Sequence, residues 1–194
     1  IYQLLFEYKI KLKIGHTLVT PINISALAKA DGGKWIYSLS VFRDYLKDLY
    51  EVDKMRPYIK EVVFWPEDYE WIRRDSQEWP DLGFGGLYGR DDGSVTILRS
   101  AEKFGRKTYG MVLLHEHGHA IEEALQNGEV FGKYDYRTMQ DLFDTLRSNN
   151  ALYGIDKIGG SRDRINYQMD RGLPEFIADT FAAYMAQKEL LLQH

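Results

Sequence analysis

Polar and apolar positions alternate over residues 7–14, with Glu7, Lys9, Lys11 and Lys13 set against Tyr8, Ile10, Leu12 and Ile14. A period of two sends the two sets to opposite faces of a strand, which predicts a β-strand with one buried side. After Pro21, a short apolar stretch from Ile24 to Ala28 ends at Asp31-Gly32-Gly33, whose residue types predict a turn. The period then changes. Trp35, Leu39, Phe42, Leu46 and Leu49 or Tyr50 recur at helical intervals, so an amphipathic helix is expected over 35–50. Ile59 to Trp65 is a β-branched and aromatic run, expected to be a strand. Pro66, followed by Glu67 and Asp68, fits the first turn of a further helix.

From 80 to 98 the texture is different. Leu82-Gly-Phe-Gly-Gly-Leu-Tyr-Gly89 leads into Asp91-Asp92-Gly93 and then Ser94-Val-Thr-Ile-Leu98. Asp-Gly between apolar runs signals a hairpin, and the segment is expected to be a glycine-rich loop followed by a strand. The glycines do not make a phosphate cradle, because no Gly-Lys-Ser/Thr follows and they do not open a helix. Two strong helices come later. One is expected from Tyr109 to Gln126, stopped by Asn127-Gly128, and the other from Pro174 to Leu192. A shorter helix is expected near 137–148. Strands gathered early and helices gathered late indicate an α+β fold.

At 194 residues the chain suits one domain, 1–194, with an N-lobe over about 1–100 and a mostly helical C-lobe over 101–194. The net charge of −4 supplies no basic face for nucleic acid. No apolar run reaches the roughly 18 residues that a membrane span needs. The first residue is Ile with no signal-like segment before it, so the chain is expected to be a processed product or an excised domain. There is no cysteine, so any bound metal must rest on histidine and carboxylates.

That requirement draws attention to His115-Glu116-His117-Gly118-His119, a His-Glu-x-x-His pattern in a chain with five histidines. Residues four apart share a helix face, so His115 and His119 can reach one ion. Glu116 projects about 100° further round, where it can touch a water on that ion without ligating it. Met111, Leu114, Ile121 and Leu125 can anchor the helix on another side. Gly118 sacrifices about 1 kcal/mol of helix propensity relative to Ala, which implies that another backbone passes close to it. His117 points off the ligand face and is expected to be a surface or packing residue.

An open catalytic zinc site takes three protein ligands. The third candidate is Glu175, near the start of the last helix in Pro174-Glu-Phe-Ile-Ala-Asp-Thr-Phe-Ala-Ala-Tyr184. Asp179 follows four residues later on the same face, where it can accept a hydrogen bond from a ligating imidazole. Tyr167, eight residues before Glu175, is a candidate oxyanion donor, although a chain with 14 tyrosines places one in most windows.

These residues resemble the catalytic-domain family of anthrax lethal factor, which includes secreted Pro-Pro endopeptidases. The resemblance covers about residues 20–190 and is strongest in His115–Glu122 and in Pro174–Tyr184. Weaker similarity lies in Asp31–Trp35 and Trp79–Gly86. It implies a zincin-like fold, one zinc ion per chain held by His115, His119 and Glu175, and Glu116 as the catalytic carboxylate. Asp179 falls where the family usually has Glu. Tyr167 matches the family's oxyanion tyrosine with one extra residue before the ligand Glu.

The expected activity is hydrolysis of an internal peptide bond, with Glu116 as general base. The strand at Ser94–Leu98 is expected to pair with an extended peptide or protein substrate. Trp79, Phe84, Gly85, Gly86, Leu87, Val95, Thr96 and Ile97 are the candidate cleft residues. A bacterial, secreted or toxin-delivered setting follows from the resemblance alone. The alternatives are a non-catalytic recognition domain on a peptidase fold, and a zinc aminopeptidase of another lineage. Neither the substrate sequence nor the oligomeric state is written in these motifs.

Overall fold

Residues 2–65, 85–98, 106–149 and 172–191 are described by the computed structural model. They form a mixed α+β arrangement around one five-stranded sheet of order β2-β1-β3-β5-β4. The strands are β1 (Lys11–Ile14), β2 (Thr17–Leu18), β3 (Glu61–Trp65), β4 (Gly86–Gly89) and β5 (Ser94–Leu98). β1, β3 and β5 run parallel, while β2 and β4 close the two edges antiparallel.

The alternation seen in the sequence does its expected work in β1, where Leu12 and Ile14 are buried, as is Ile10 just before the strand. Leu12, Ile14, Val62, Phe64, Val95 and Ile97 together give the sheet one apolar face against the helices. The strand is shorter than the 7–14 expected, because residues before it belong to helix α1 (Tyr2–Glu7). Lys9 takes φ 57, and the amides of Lys9 and Ile10 reach back to the carbonyls of Phe6 and Leu5. This left-handed cap ends the helix and redirects the chain, a local device that the two-residue period concealed.

Helix α2 (Ile24–Tyr50) is longer than the pattern predicts. Thr20 and Asn23 close the turn before it reciprocally: Thr20 N–H donates to Asn23 Oδ1 at 2.7 Å and Asn23 N–H donates to Thr20 Oγ1 at 3.3 Å. Asp31-Gly32-Gly33 does not separate two elements as expected. It lies inside α2, where Gly33 holds φ 82. Turn chemistry is thus present locally but is overridden by the buried stripe of Trp35, Leu39, Phe42, Leu46 and Leu49 beyond it.

Helices α3 (Arg106–Gln126), α4 (Tyr136–Ser148) and α5 (Leu173–Leu191) fall close to their expected bounds. Gly128, at φ 89, stops α3 as Asn127-Gly128 foretold: its N–H and that of Glu129 bond back to Leu125 and Ala124. Asp135 caps α4 by accepting from the Thr138 N–H at 2.7 Å. Phe42 of α2 meets Phe64 of β3 with ring centres 5.8 Å apart, and Phe143 of α4 meets Phe176 of α5 at 5.3 Å. Each such ring contributes about 1.5–3 kcal/mol by burial, so these contacts stabilise the fold while they hold α2 on the sheet and α4 on α5.

The Asp-Gly signal is met by a hairpin, but the later part of the expected glycine-rich loop is a strand. Gly86–Gly89 forms β4, paired with β5 from Gly86↔Ile97 to Gly89↔Ser94. The helix expected after Pro66 lies outside the described residues. No described helix is long and apolar enough to cross a membrane.

Candidate metal centre

The helical register of α3 and one tight crossing build the site. A Cβ added at Gly118 would stand 2.6 Å from Ala178 Cα and 2.7 Å from its carbonyl oxygen, so α5 lies on α3 where only glycine leaves room. The expected reason for a glycine in mid-helix is therefore a backbone contact. The crossing brings Glu175, in the first turn of α5, to the pair on α3. His115 Nε2 lies 3.2 Å from Glu175 Oε2, and His119 Nε2 lies 3.7 Å from Glu175 Oε1.

One ligand atom from each of His115, His119 and Glu175 lies within 4.8 Å of the others, a group that could hold a metal ion. Donors about 2 Å from a tetrahedral ion stand about 3.3 Å apart, close to the separations here. Glu175 Oε2 is buried and has no hydrogen-bond partner among the described residues. The atom facing it is His115 Nε2, 3.2 Å away. A buried carboxylate oxygen left this way is costly, and a cation between the two atoms would satisfy both. The residues fit a metal.

The shell around them is also in place. His115 Nδ1 lies 2.7 Å from Asp179 Oδ1, and because a carboxylate accepts, the imidazole donates. That fixes Nε2 as the atom facing the site, and Asp179 makes the contact with a ligand-candidate imidazole that its place in the sequence led one to expect. Burial opposes a charge on His115, yet its contacts with Asp179 and Glu175 outweigh burial and lift the group to about 10. Burial and the neighbouring His115 push His119 down to about 4. Burial also opposes the charge of Glu175, but contact with His115 wins and holds the carboxyl below its usual range. Positive charge is thus favoured at His115, between Asp179 and Glu175, and disfavoured at His119.

Glu116 is buried beside His115 and packs against the edge strand. A Cβ at Gly86 would come within 2.6 Å of Glu116 Cγ and 2.9 Å of the Thr96 carbonyl oxygen. Gly86 is therefore bare because Glu116 occupies that space. Gly85, at the head of β4, accepts from the Leu98 N–H at 2.8 Å.

The other cleft candidates divide. Val95 and Ile97 are fully buried core residues, not cleft residues. Leu87 and Thr96 stand on the sheet face away from Glu116, where they line an open groove of about 400 Å³ with Lys13, Glu61, Trp65 and Leu98. β5 is paired to β3 on one side and β4 on the other, so its backbone has no edge to offer a substrate. Among the described residues β4 has a partner on one side only, and it is the strand beside Glu116. Tyr167, Trp79 and Phe84 lie outside the described residues.

His117 is a packing residue, as one of its two expected roles had it. It is fully buried, with Nδ1 at 2.7 Å from the Leu113 carbonyl and Nε2 at 2.9 Å from the Tyr50 hydroxyl. A carbonyl can only accept, so Nδ1 carries the proton and Tyr50 donates to Nε2. Burial lowers its pKa to about 4. Sequence reasoning missed a second cluster, formed by Arg90, Glu122 and Gln126. Its signal was the polar stripe 115-119-122-126 on a helix otherwise rich in apolar residues.

No family profile, curated protein or solved structure matches this chain.

Proposed function

We propose that the protein is a zinc-dependent endopeptidase with a zincin-like fold, as its resemblance to the lethal factor catalytic family implies. The observation that carries this reading is the convergence of His115, His119 and Glu175 with Glu116 beside them. Two imidazoles and one carboxylate, with no thiolate in the chain, form a zinc donor set that leaves a fourth position open. When bound, zinc supplies Lewis acidity that brings a water toward neutral pKa and polarises a carbonyl oxygen.

The chain's own residues supply the rest. Asp179 holds His115 in the tautomer that presents Nε2. Glu116 takes the proton of the attacking water on its carboxylate and hands it to the nitrogen of the departing amine. Its seat against Gly86 sets this side chain over β4, whose other edge has no partner among the described residues. An extended substrate pairs with β4, so that its backbone runs past Glu116; this assignment replaces β5 as the docking strand. Tyr167 is the proposed oxyanion donor, by resemblance. A secreted or toxin-delivered setting rests on the same resemblance.

The test is Glu116→Gln, assayed for zinc content and for cleavage of a mixed peptide library. The variant is expected to keep one zinc per chain and to lose at least 100-fold in cleavage rate, the scale of general acid–base assistance. Internal cuts at the wild-type rate in that variant would remove Glu116 from the reaction.

A further inference from the structure

Along β4 every second residue faces α3: Gly86 lies at Glu116, Tyr88 at Glu123, and Arg90, the residue just after the strand, at Glu122 and Gln126. The last contact has a construction that an ordinary surface pair lacks. Glu122 is fully buried. Its Oε2 pairs with the Arg90 guanidinium, and its Oε1 accepts from Gln126 Nε2 at 2.5 Å. Arg90 Nη1 also donates to Gln126 Oε1 at 2.9 Å, which closes a ring of three side chains. A buried carboxylate is retained only where its oxygens are satisfied, and here the satisfying charge comes from the hairpin rather than from the helix.

Glu122 lies three residues after His119, on the same helix face and about one turn further on. The hairpin is therefore fastened to the stripe of α3 that also carries the two histidines. We infer that Arg90 is a positioning residue: by pairing with Glu122 it fixes edge strand β4 against the metal-bearing helix, and so sets the spacing between a docked peptide and the metal. The catalytic part of this inference rests on the peptidase reading above. The mechanical part, that Arg90 holds β4 on α3, does not. A displacement of about 1 Å in such a spacing lowers rate on the order of 100-fold, while zinc binding, carried by α3 and α5, is unaffected.

The experiment compares wild type, Arg90→Ala and Arg90→Lys in three readouts: amide hydrogen exchange, zinc content, and kcat and KM on a cleaved library peptide. Arg90→Ala is expected to speed exchange in residues 86–98 at least tenfold more than in α3. It should retain one zinc per chain and lose 10- to 100-fold in kcat/KM, with the loss chiefly in kcat. Lys keeps the charge but cannot reach Glu122 and Gln126 together, so it should restore part of both the protection and the kcat. Unchanged exchange in 86–98 overturns the inference whatever the activity. So does uniform loosening of the whole protein, or selective loosening with wild-type kcat. If wild type neither binds zinc nor cleaves, the peptidase reading fails, and the exchange comparison still decides whether Arg90 holds the strand.

Discussion

Gly118→Ala sets local propensity against packing, and the two give opposite signs. Alanine in a helix interior is favoured over glycine by about 1 kcal/mol, so α3 by itself would gain. The added Cβ, however, would stand 2.6 Å from Ala178 Cα, 2.7 Å from its oxygen and 3.0 Å from its carbonyl carbon. Comfortable contact needs about 3.6 Å, so α5 must retreat by about 1 Å. All three atoms are backbone, and no side chain can rotate out of the way. Overpacking of this kind costs about 1–3 kcal/mol, which outweighs the propensity gain and leaves a net loss of about 1 kcal/mol.

The same retreat carries Glu175 and Asp179 with it. The 2.7 Å contact between His115 and Asp179 would open by about 1 Å, beyond hydrogen-bond range. Loss of such a supporting contact lowers metal affinity about 10- to 100-fold. Urea denaturation of the metal-free protein measures the first effect, and zinc competition against a chromophoric chelator measures the second. A variant more stable than wild type, with unchanged zinc affinity, would refute the crossing as described and with it the reason Gly118 is glycine.

Asp179→Asn keeps the shape beside His115 but removes the charge, and should weaken zinc binding about tenfold; superimposable titrations would show that Asp179 has no such role. The buried His117 gives a pH prediction. Its pKa is about 4 folded against 6.5 unfolded, so below pH 6.5 only the unfolded chain gains the proton. Its contribution is therefore intact above pH 6.5 and is lost as pH falls toward 4, in total by about 3 kcal/mol. Between those limits, metal-free wild type should lose stability more steeply than His117→Gln, by about 1.4 kcal/mol per pH unit. Parallel urea midpoints across that range would count against a neutral, buried His117.

Features governed by neighbours in the chain were legible in the sequence. The His115/His119 pair, the Asn127-Gly128 stop, the hairpin at Asp92-Gly93 and the alternation of Leu12 and Ile14 all depend on short-range geometry. Glu175 and Asp179 were legible because residues four apart share a helix face, so the two carboxylates could be expected to face one site. Strand order was not. Nothing near Ser94–Leu98 says that β3 will flank it, and a glycine-rich run is a weak strand former, so β5 looked like the free strand and β4 like a loop. Gly86 is explained only once Glu116 is seen to fill its side-chain space. The partners of His117 and Glu122 were hidden for the same reason: Tyr50 stands 67 residues from His117, and Arg90 stands 32 residues from Glu122.

The central claim is that His115, His119 and Glu175 hold a metal that the proposed hydrolysis uses. Zinc stoichiometry, determined by elemental analysis after dialysis against trace zinc, tests it most directly on wild type and Glu175→Ala. One zinc per wild-type chain, and substantially less in folded Glu175→Ala, is the expected result. Wild-type protein that is folded yet retains no zinc, or a Glu175→Ala variant that retains it fully, would contradict the site.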